Sequence, residues 1–284
     1  MSLLFRKLCS QLDHISENSE GVMGVAVKDL GLDEAYFINP DELFPVASTI
    51  KVAILIEFFN RVEKGTLNPL EPVLYKAEHK TIGSGVLKEL TPGSVSMPLI
   101  DHATLMMTVS DNTSTNLLID TLGIDRINSG LSDLGLVYTR LTRKMMDIES
   151  LKAGKDSFTT PREIARLFEF LYRNERLSKY VCDETIRMLK KPKEGIISGV
   201  IRNAVSSEIQ VADKSGWVDG ATLDAGIVYQ PRHPYIVAVL MKHEPKYDLH
   251  HLNALETMTK ATKLIHRYFE EVSSSTIQGR KLPP

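Results

Sequence analysis

The sequence predicts a mixed α/β (α+β) fold: an antiparallel sheet built from both chain ends, flanked by terminal helices, with an all-helical lobe inserted between its strands. Three observations predict it. Period-two hydrophobic alternation marks 21–29, with 35–39 as its hairpin partner, near one end, and strand composition marks 208–214, 223–230 and 235–242 near the other. Helical periodicity fills the stretch between them. The composition, 284 residues with 43% hydrophobic and 25% charged, is that of an ordinary globular protein able to bury a full core. The chain therefore reads as a single unit, 1–284, with one lobe from about 1–45 plus 205–284 and a helical lobe from about 46–204. The cleft between two such lobes is the natural place for a site.

The elements follow in order. Leu3, Leu4, Leu8, Leu12 and Ile15 give 2–17 one apolar helical face. The two strands after it are joined by the turn-rich Leu30-Gly31-Leu32-Asp33. Residues 48–64 form a helix that is apolar nearly all round and ends at Gly65, the pattern of an element in the middle of a structure. Further helices cover 99–109, 113–122 and 124–134, with Gly123 and Gly135 as stops. Thr160-Pro161-Arg162-Glu163 starts another, running to about Arg173: threonine caps, proline suits the first turn and Glu163 can close a capping box. One more covers about 183–190. Pro231-Arg232-His233-Pro234 turns between the last two strands, 251–271 closes the chain as a long amphipathic helix, and 273–284 reads as a frayed tail.

Several function classes drop out. The net charge of −2 gives no global pull toward nucleic acid or anionic membrane. The longest aliphatic run, Val52-Ala53-Ile54-Leu55-Ile56, is far too short to span a bilayer. Cys9 and Cys182 cannot make a disulfide scaffold and read as two unpaired, partly buried thiols. His243, His250 and His251 lack metal-ligand spacing and read as surface residues, so no metal or organic cofactor is expected. Met106-Met107 and Met145-Met146 read as core filling, and Lys190-Lys191-Pro192-Lys193 as a solvated helix end. No repeat, P-loop or dinucleotide glycine motif is present. Residues 1–7 show no signal-peptide pattern, so the chain is either cytoplasmic or an exported protein whose signal lies outside this sequence.

Three motifs carry the chemistry. Ser48-Thr49-Ile50-Lys51 is an S-x-x-K at the mouth of the central helix, Ser110-Asp111-Asn112 lies in a break between two helices, and Lys214-Ser215-Gly216 ends a predicted strand. A chain of this length holds about one S-x-x-K by chance, but only a few hundredths of an S-D-N and about a tenth of a K-[S/T]-G. The set, in this order, carries weight that its first member lacks. A serine hydroxyl is a weak nucleophile that needs a nearby base. Residues three apart on a helix share a face, so the Lys51 amine can reach the Ser48 hydroxyl. The helix N-terminus favours negative charge on an attacked carbonyl and disfavours an ammonium ion, which suits Lys51 to act as a neutral base. A second amine, Lys214, opposes protonation further if it lies close. Read separately, Ser110-Asp111-Asn112 is a helix cap, with Asp111 structural, and the lone tryptophan, Trp217, is a packing residue.

This set resembles the penicillin-recognising serine hydrolases, the class A β-lactamases and penicillin-binding proteins. Phe44-Pro45-Val46-Ala47-Ser48-Thr49 resembles the family's approach to its nucleophile, and Thr159-Thr160-Pro161 the start of the helix after its Ω loop. The resemblance spans about residues 5 to 272 and implies the β-lactamase/transpeptidase-like fold. It implies opening of a β-lactam amide through a Ser48 acyl-enzyme, with Lys51 as base or part of the proton path and Ser110 passing a proton to the departing nitrogen. Asn112 would hold the substrate's amide side chain, and Lys214 and Ser215 its carboxylate. The backbone N–H groups of Ser48 and Trp217 would form the oxyanion hole; Gly216, the last residue of the motif, and Trp217, which walls the cleft, would also bind the substrate. The implied partner is a small acyl donor, a β-lactam or a D-alanyl-D-alanine-like peptide, with no nucleic acid and no membrane span; the family further implies an exported monomer.

Two departures bear on activity. Class A enzymes carry an Ω-loop glutamate that activates the deacylating water; counted along Leu141-Thr142-Arg143-Lys144-Met145-Met146-Asp147-Ile148-Glu149, Met145 stands in its place. Asp147 is the first choice for a substitute base and Glu149 the second. If neither serves, the acyl-enzyme would form and clear slowly, and the chain would behave as a sluggish lactamase, a penicillin-binding D-alanyl-D-alanine peptidase, an esterase on the same fold, or a slowly deacylating sensor. Where some class A enzymes carry a basic residue on the strand after K-[S/T]-G, this chain has Asp224-Ala225-Gly226.

Overall fold

The computed structural model describes residues 2–193, 195–243 and 248–274. Helix α1 (Leu3–Glu17) begins where the Ser2 side chain accepts the Phe5 N–H and buries Phe5, Leu8 and Leu12. Strands β1 (Val22–Asp29) and β2 (Ala35–Ile38) follow, and β3 (Phe44–Pro45) leads into a 3₁₀ turn, Ala47–Ile50, that continues directly as α2 (Lys51–Glu63). Next come β4 (Pro72–Leu74), β5 (Ser96–Pro98), α3 (Leu99–Thr108), α4 (Asn112–Leu122), α5 (Ile124–Asp133) and the short α6 (Ile148–Lys152). β6 (Phe158–Thr159), α7 (Pro161–Arg173), α8 (Lys179–Leu189) and α9 (Gly199–Ala204) precede β7 (Val211–Val218), β8 (Ala221–Val228), β9 (Tyr235–Lys242) and α10 (Asp248–Ser273).

The main sheet has the order β2-β1-β9-β8-β7, and every neighbouring pair is antiparallel. β1 pairs with β9 over its whole length, Val25 opposite Val239, which closes the sheet from the two ends of the chain. Alternation then sorts side chains to two faces. Ile236, Ala238 and Leu240 of β9 pack toward α2 and α7, whereas Val237, Val239 and Met241 pack toward α1 and α10. Both faces are covered, so the strands are apolar on both sides, as the long aliphatic stretches require. α2 is buried nearly all round among α4, α5 and α8, the central helix its composition demanded. No described helix is long and apolar enough to cross a membrane.

Several expectations need correction. β7 and β8 extend to the two-residue link Asp219-Gly220, so Lys214-Ser215-Gly216 lies inside a strand and does not end it. α8 starts four residues earlier than expected because Ser178 caps it, accepting the Val181 N–H at 3.2 Å. Thr160 does cap α7, but Glu163 does not close a box; its carboxylate instead accepts the N–H groups of Val137, Tyr138 and Thr139. Two strand pairs, β3 with β6 and β4 with β5, were too short to read from periodicity. Lys193 is no solvated helix end: its buried amine donates to Leu189 O at 2.6 Å and to Asp213 at 3.3 Å. Lys190 stands over the Tyr229 ring. Cys9 and Cys182 are both free and buried, in different packing clusters. Ser273 still belongs to α10; the expected tail from 275 on, and the side chains of His250 and His251, lie outside the described residues.

Candidate active site

The chain enters the site at Ala47, the first residue of the 3₁₀ turn, whose φ of +47° is unusual for a residue with a side chain and turns the backbone into Ser48. Thr49 fixes that turn by donating its hydroxyl to Val46 O at 2.6 Å. β7, the edge strand of the main sheet, runs beside it. A Cβ on Gly216 would come within 2.9 Å of the Ser48 nitrogen and 3.1 Å of the Thr49 nitrogen. Only glycine lets the strand approach the serine's N–H this closely, and an edge strand has an outer row of backbone groups to present there.

Lys51, one turn past Ser48, is fully buried. Its Nζ lies 2.8 Å from Ser110 O, 3.0 Å from Ser110 Oγ and 2.9 Å from Asn112 Oδ1. Burial, and then the nearby charge of Lys214, hold this amine well below the usual lysine range, with Asp111 pulling the other way. Ser110 is itself in the left-handed region, φ +52°, in the break before α4. Asp111 sustains that break: Oδ1 caps α4 through the Ser114 N–H, and Oδ2 accepts the N–H groups of Val86 and Leu87. The motif is thus both a helix cap and a site element. Asn112 accepts from Lys51 and donates to Ile82 O at 3.1 Å, leaving one amide N–H for another partner.

Lys214 is likewise fully buried and donates to Ser215 O at 2.6 Å. Burial first, then the Lys193 charge, brings it down to about 7, against the opposing pull of Asp213 and Asp224. Ser48, Ser110, Lys214, Ser215, Gly216 and Trp217 all line one small cavity of about 70 Å³. A wider cleft of about 440 Å³ shares Ser48, Ser84 and Trp217 with it and continues past Asn112 to an apolar wall of Met145, Met146, Ile148 and Leu151. Trp217 is 56% exposed and faces both spaces.

Met145 does pack against the core, as expected, but it also lines the cleft, and the exposed Met146 lines it without filling the core. Position 145 is pinned from both sides by Asn116, whose Oδ1 accepts the Met145 N–H at 2.8 Å and whose Nδ2 donates to Met145 O at 3.1 Å. The half-buried thioether side chain lines the cleft. The structure does not bring either proposed substitute base there. Asp147 caps α6, accepting the Ser150 N–H at 3.0 Å and the Ser150 hydroxyl at 2.7 Å, which hold its carboxyl below the usual range. Glu149 is exposed and pairs with Lys152 at 3.0 Å.

Sequence reasoning missed Ser84 and the glycine-flanked loop that holds it. Gly83 and Gly85 both have positive φ, and a Cβ on either would strike Asn112 Nδ2 or Asp111 Oδ2. The Gly-Ser-Gly string was the available signal. Asn116 and Lys193 were also missed, and neither has a local signature.

The model of the beta-lactamase enzyme family matches residues 7–269. A β-lactamase of Proteus vulgaris is 25% identical over 268 residues, 93% of this chain and 96% of the relative. The crystal structure of a β-lactamase from Sphaerobacter thermophilus is 27% identical with a TM-score of 0.81, covering 92% of this chain and 97% of that one. A leucine-to-glutamate variant of PBP-A, captured as an acyl-enzyme with penicillin G, is 25% identical with a TM-score of 0.82, covering 94% and 97%. β-Lactam hydrolysis is the reaction for which the family is named. With the family model matching nearly the whole sequence, this chain belongs to the beta-lactamase enzyme family.

Proposed function

We propose that this chain opens β-lactam amides by acylating Ser48 and clears the acyl-enzyme slowly. The observation that carries the reading is a fully buried amine, Lys51, held on Ser110 Oγ at 3.0 Å behind a cavity that Ser48, Ser110 and a second fully buried amine, Lys214, line. Burying an unpaired ammonium is strongly unfavourable, and a depressed amine is what a general base working near neutrality requires.

In this reading Lys51 takes the Ser48 proton as the hydroxyl attacks the carbonyl. The oxyanion forms against the Ser48 and Trp217 N–H groups, a role supported by the close approach of β7 to the Ser48 nitrogen at Gly216. A neutral Lys51 has two N–H donors and one lone pair, so one of its three contacts reverses. Ser110 Oγ is the partner able to donate, which supports a proton path from Lys51 through Ser110 to the leaving nitrogen. Lys214 and Ser215 hold the substrate carboxylate, and Asn112 its amide. The apolar wall of Met145, Met146, Ile148 and Leu151 suits an apolar acyl group.

Slow clearance rests on Met145. A thioether faces the cleft at position 145, Asp147 and Glu149 are engaged elsewhere, and of the two carboxylates that line the cleft Asp156 is paired with Arg143 at 2.9 Å and Asp219 sits in the β7–β8 link. The same observation favours a second reading, a penicillin-binding peptidase or sensor. Penicillin mixing experiments separate the two. A burst of about one ring opened per chain, then slow steady hydrolysis, is expected of the first reading. A burst without later turnover gives the second. No burst and no protein adduct overturns both.

A further inference from the structure

Asp224 lies directly opposite Ser215 in the β7–β8 register, so the two side chains project from the same face of the sheet. It lines the cavity shared by Ser48, Ser110 and Lys214. Its carboxyl is almost fully buried and only half used. Oδ2 accepts the Ile201 N–H at 2.9 Å, beside Gly199, where any Cβ would sit 2.2 Å from that oxygen. Oδ1 has no hydrogen-bond partner.

The charges around it decide its state. Asp213, on the same face of β7, takes Arg202 at 2.7 Å and Lys193 at 3.3 Å. Among the described residues no cation makes an ion pair with Asp224. Among the described residues Lys214 is the amine on the cavity wall, and α10 brings the uncharged Leu255 and Met258 to it. A buried carboxylate with a bare oxygen and no paired cation is far costlier than a neutral carboxylic acid. In keeping with this, burial and then the Asp213 charge raise Asp224 to about 8.

We propose that Asp224 is a specificity-determining residue that acts as a neutral donor, its Oδ1 hydroxyl completing the carboxylate-binding site of Lys214 and Ser215. This rests on the acylation reading above, since it places the substrate in the same cavity. A carboxylate seated against Lys214 would accept hydrogen bonds from the amine, the Ser215 hydroxyl and the Asp224 acid. An ionised aspartate at this position would repel the same substrate.

The test is equilibrium binding of penicillin G and of its methyl ester, near pH 6.5, in a Ser48→Ala background that cannot acylate. Adding Asp224→Asn, which keeps both an acceptor for Ile201 and a donor for the ligand, leaves penicillin G binding within about twofold. Adding Asp224→Leu costs about tenfold to a hundredfold, the range for a hydrogen bond to a charged group, while the ester loses far less. Loss of shape alone would weaken acid and ester alike, and that result overturns the proposal. So does an Asp224→Asn gain of tenfold or more in penicillin G binding, the signature of removing a like charge. The asparagine variant alone decides the matter if the leucine variant does not fold. Acylation of the wild-type chain is read separately by mass, so failure of the serine reading and failure of the donor role give different results.

Discussion

Lys51 Nζ lies 3.0 Å from Ser110 Oγ, so an amine from the start of the central helix and a hydroxyl from a break two helices later share one proton position. The proposed chemistry uses that pairing twice, to remove a proton from Ser48 and to deliver one to the leaving nitrogen. Lys51→Ala should therefore cost about a hundredfold to ten-thousandfold in acylation rate while near-ultraviolet circular dichroism stays native. Normal labelling of the folded variant would remove Lys51 from the mechanism.

Gly216→Ala tests the close approach of strand and serine. The new methyl meets the backbone nitrogens of Ser48 and Thr49, which cannot rotate away, so β7 must shift. Acylation should fall about tenfold to a thousandfold, as when an oxyanion donor is misplaced, with a folding cost of only about 1–3 kcal/mol. Rate and denaturant midpoint, measured together, separate the effects; an unchanged rate would show that the approach is not used.

Met145→Glu places a carboxylate on the cleft wall at a backbone position that Asn116 already holds from both sides. The acyl-enzyme should clear at least about tenfold faster, since a positioned general base contributes about a hundredfold or more. Adduct lifetime after removal of free penicillin is the measurement. An unchanged lifetime in a folded variant would mean that position 145 does not reach the deacylating water.

The pH profile follows from the two amines. Burial and the Lys214 charge depress Lys51 well below the ordinary lysine range, which favours its base form, and acylation is lost as pH falls through its folded value. Lys214, lowered to about 7, binds a carboxylate as a cation below that and loses this ability as pH rises. Penicillin acylation should then show an acid limb and a decline above about 7, and the methyl ester only the acid limb; rates from about pH 5 to about pH 9 check this. The depression also has a sign for folding. Between about 7 and the ordinary 10.5, unfolded Lys214 keeps a proton that the folded chain releases, so its contribution to stability grows with pH across that window.

The motif residues were legible in the sequence because their chemistry is local: a cap, a helix start and a glycine are each written in adjacent letters. Ser48, Ser110 and Lys214 could be named, and the cavity gathers all three. The strand bearing Lys214 runs beyond the residues of strand composition, through Ser215-Gly216-Trp217; the Asp219-Gly220 pair, a hairpin signal, marks its true end. What stayed hidden was long-range. Asn116 grips Met145 across a separation of 29 residues, and Lys193 reaches Asp213 across 20. Asp147 illustrates the limit most plainly: two residues from the expected place of a base, it is spent on capping a five-residue helix that periodicity could not resolve.

The claim that all of this serves is that Ser48 is the group acylated. Trypsin releases it in the peptide 29–51, bounded by Lys28 and Lys51. After brief mixing with penicillin G, mass spectrometry of the digest should find the intact penicillin mass added to that peptide and to no other, and nothing added in Ser48→Ala. An adduct on a different peptide, or one that survives the alanine change, would contradict the account.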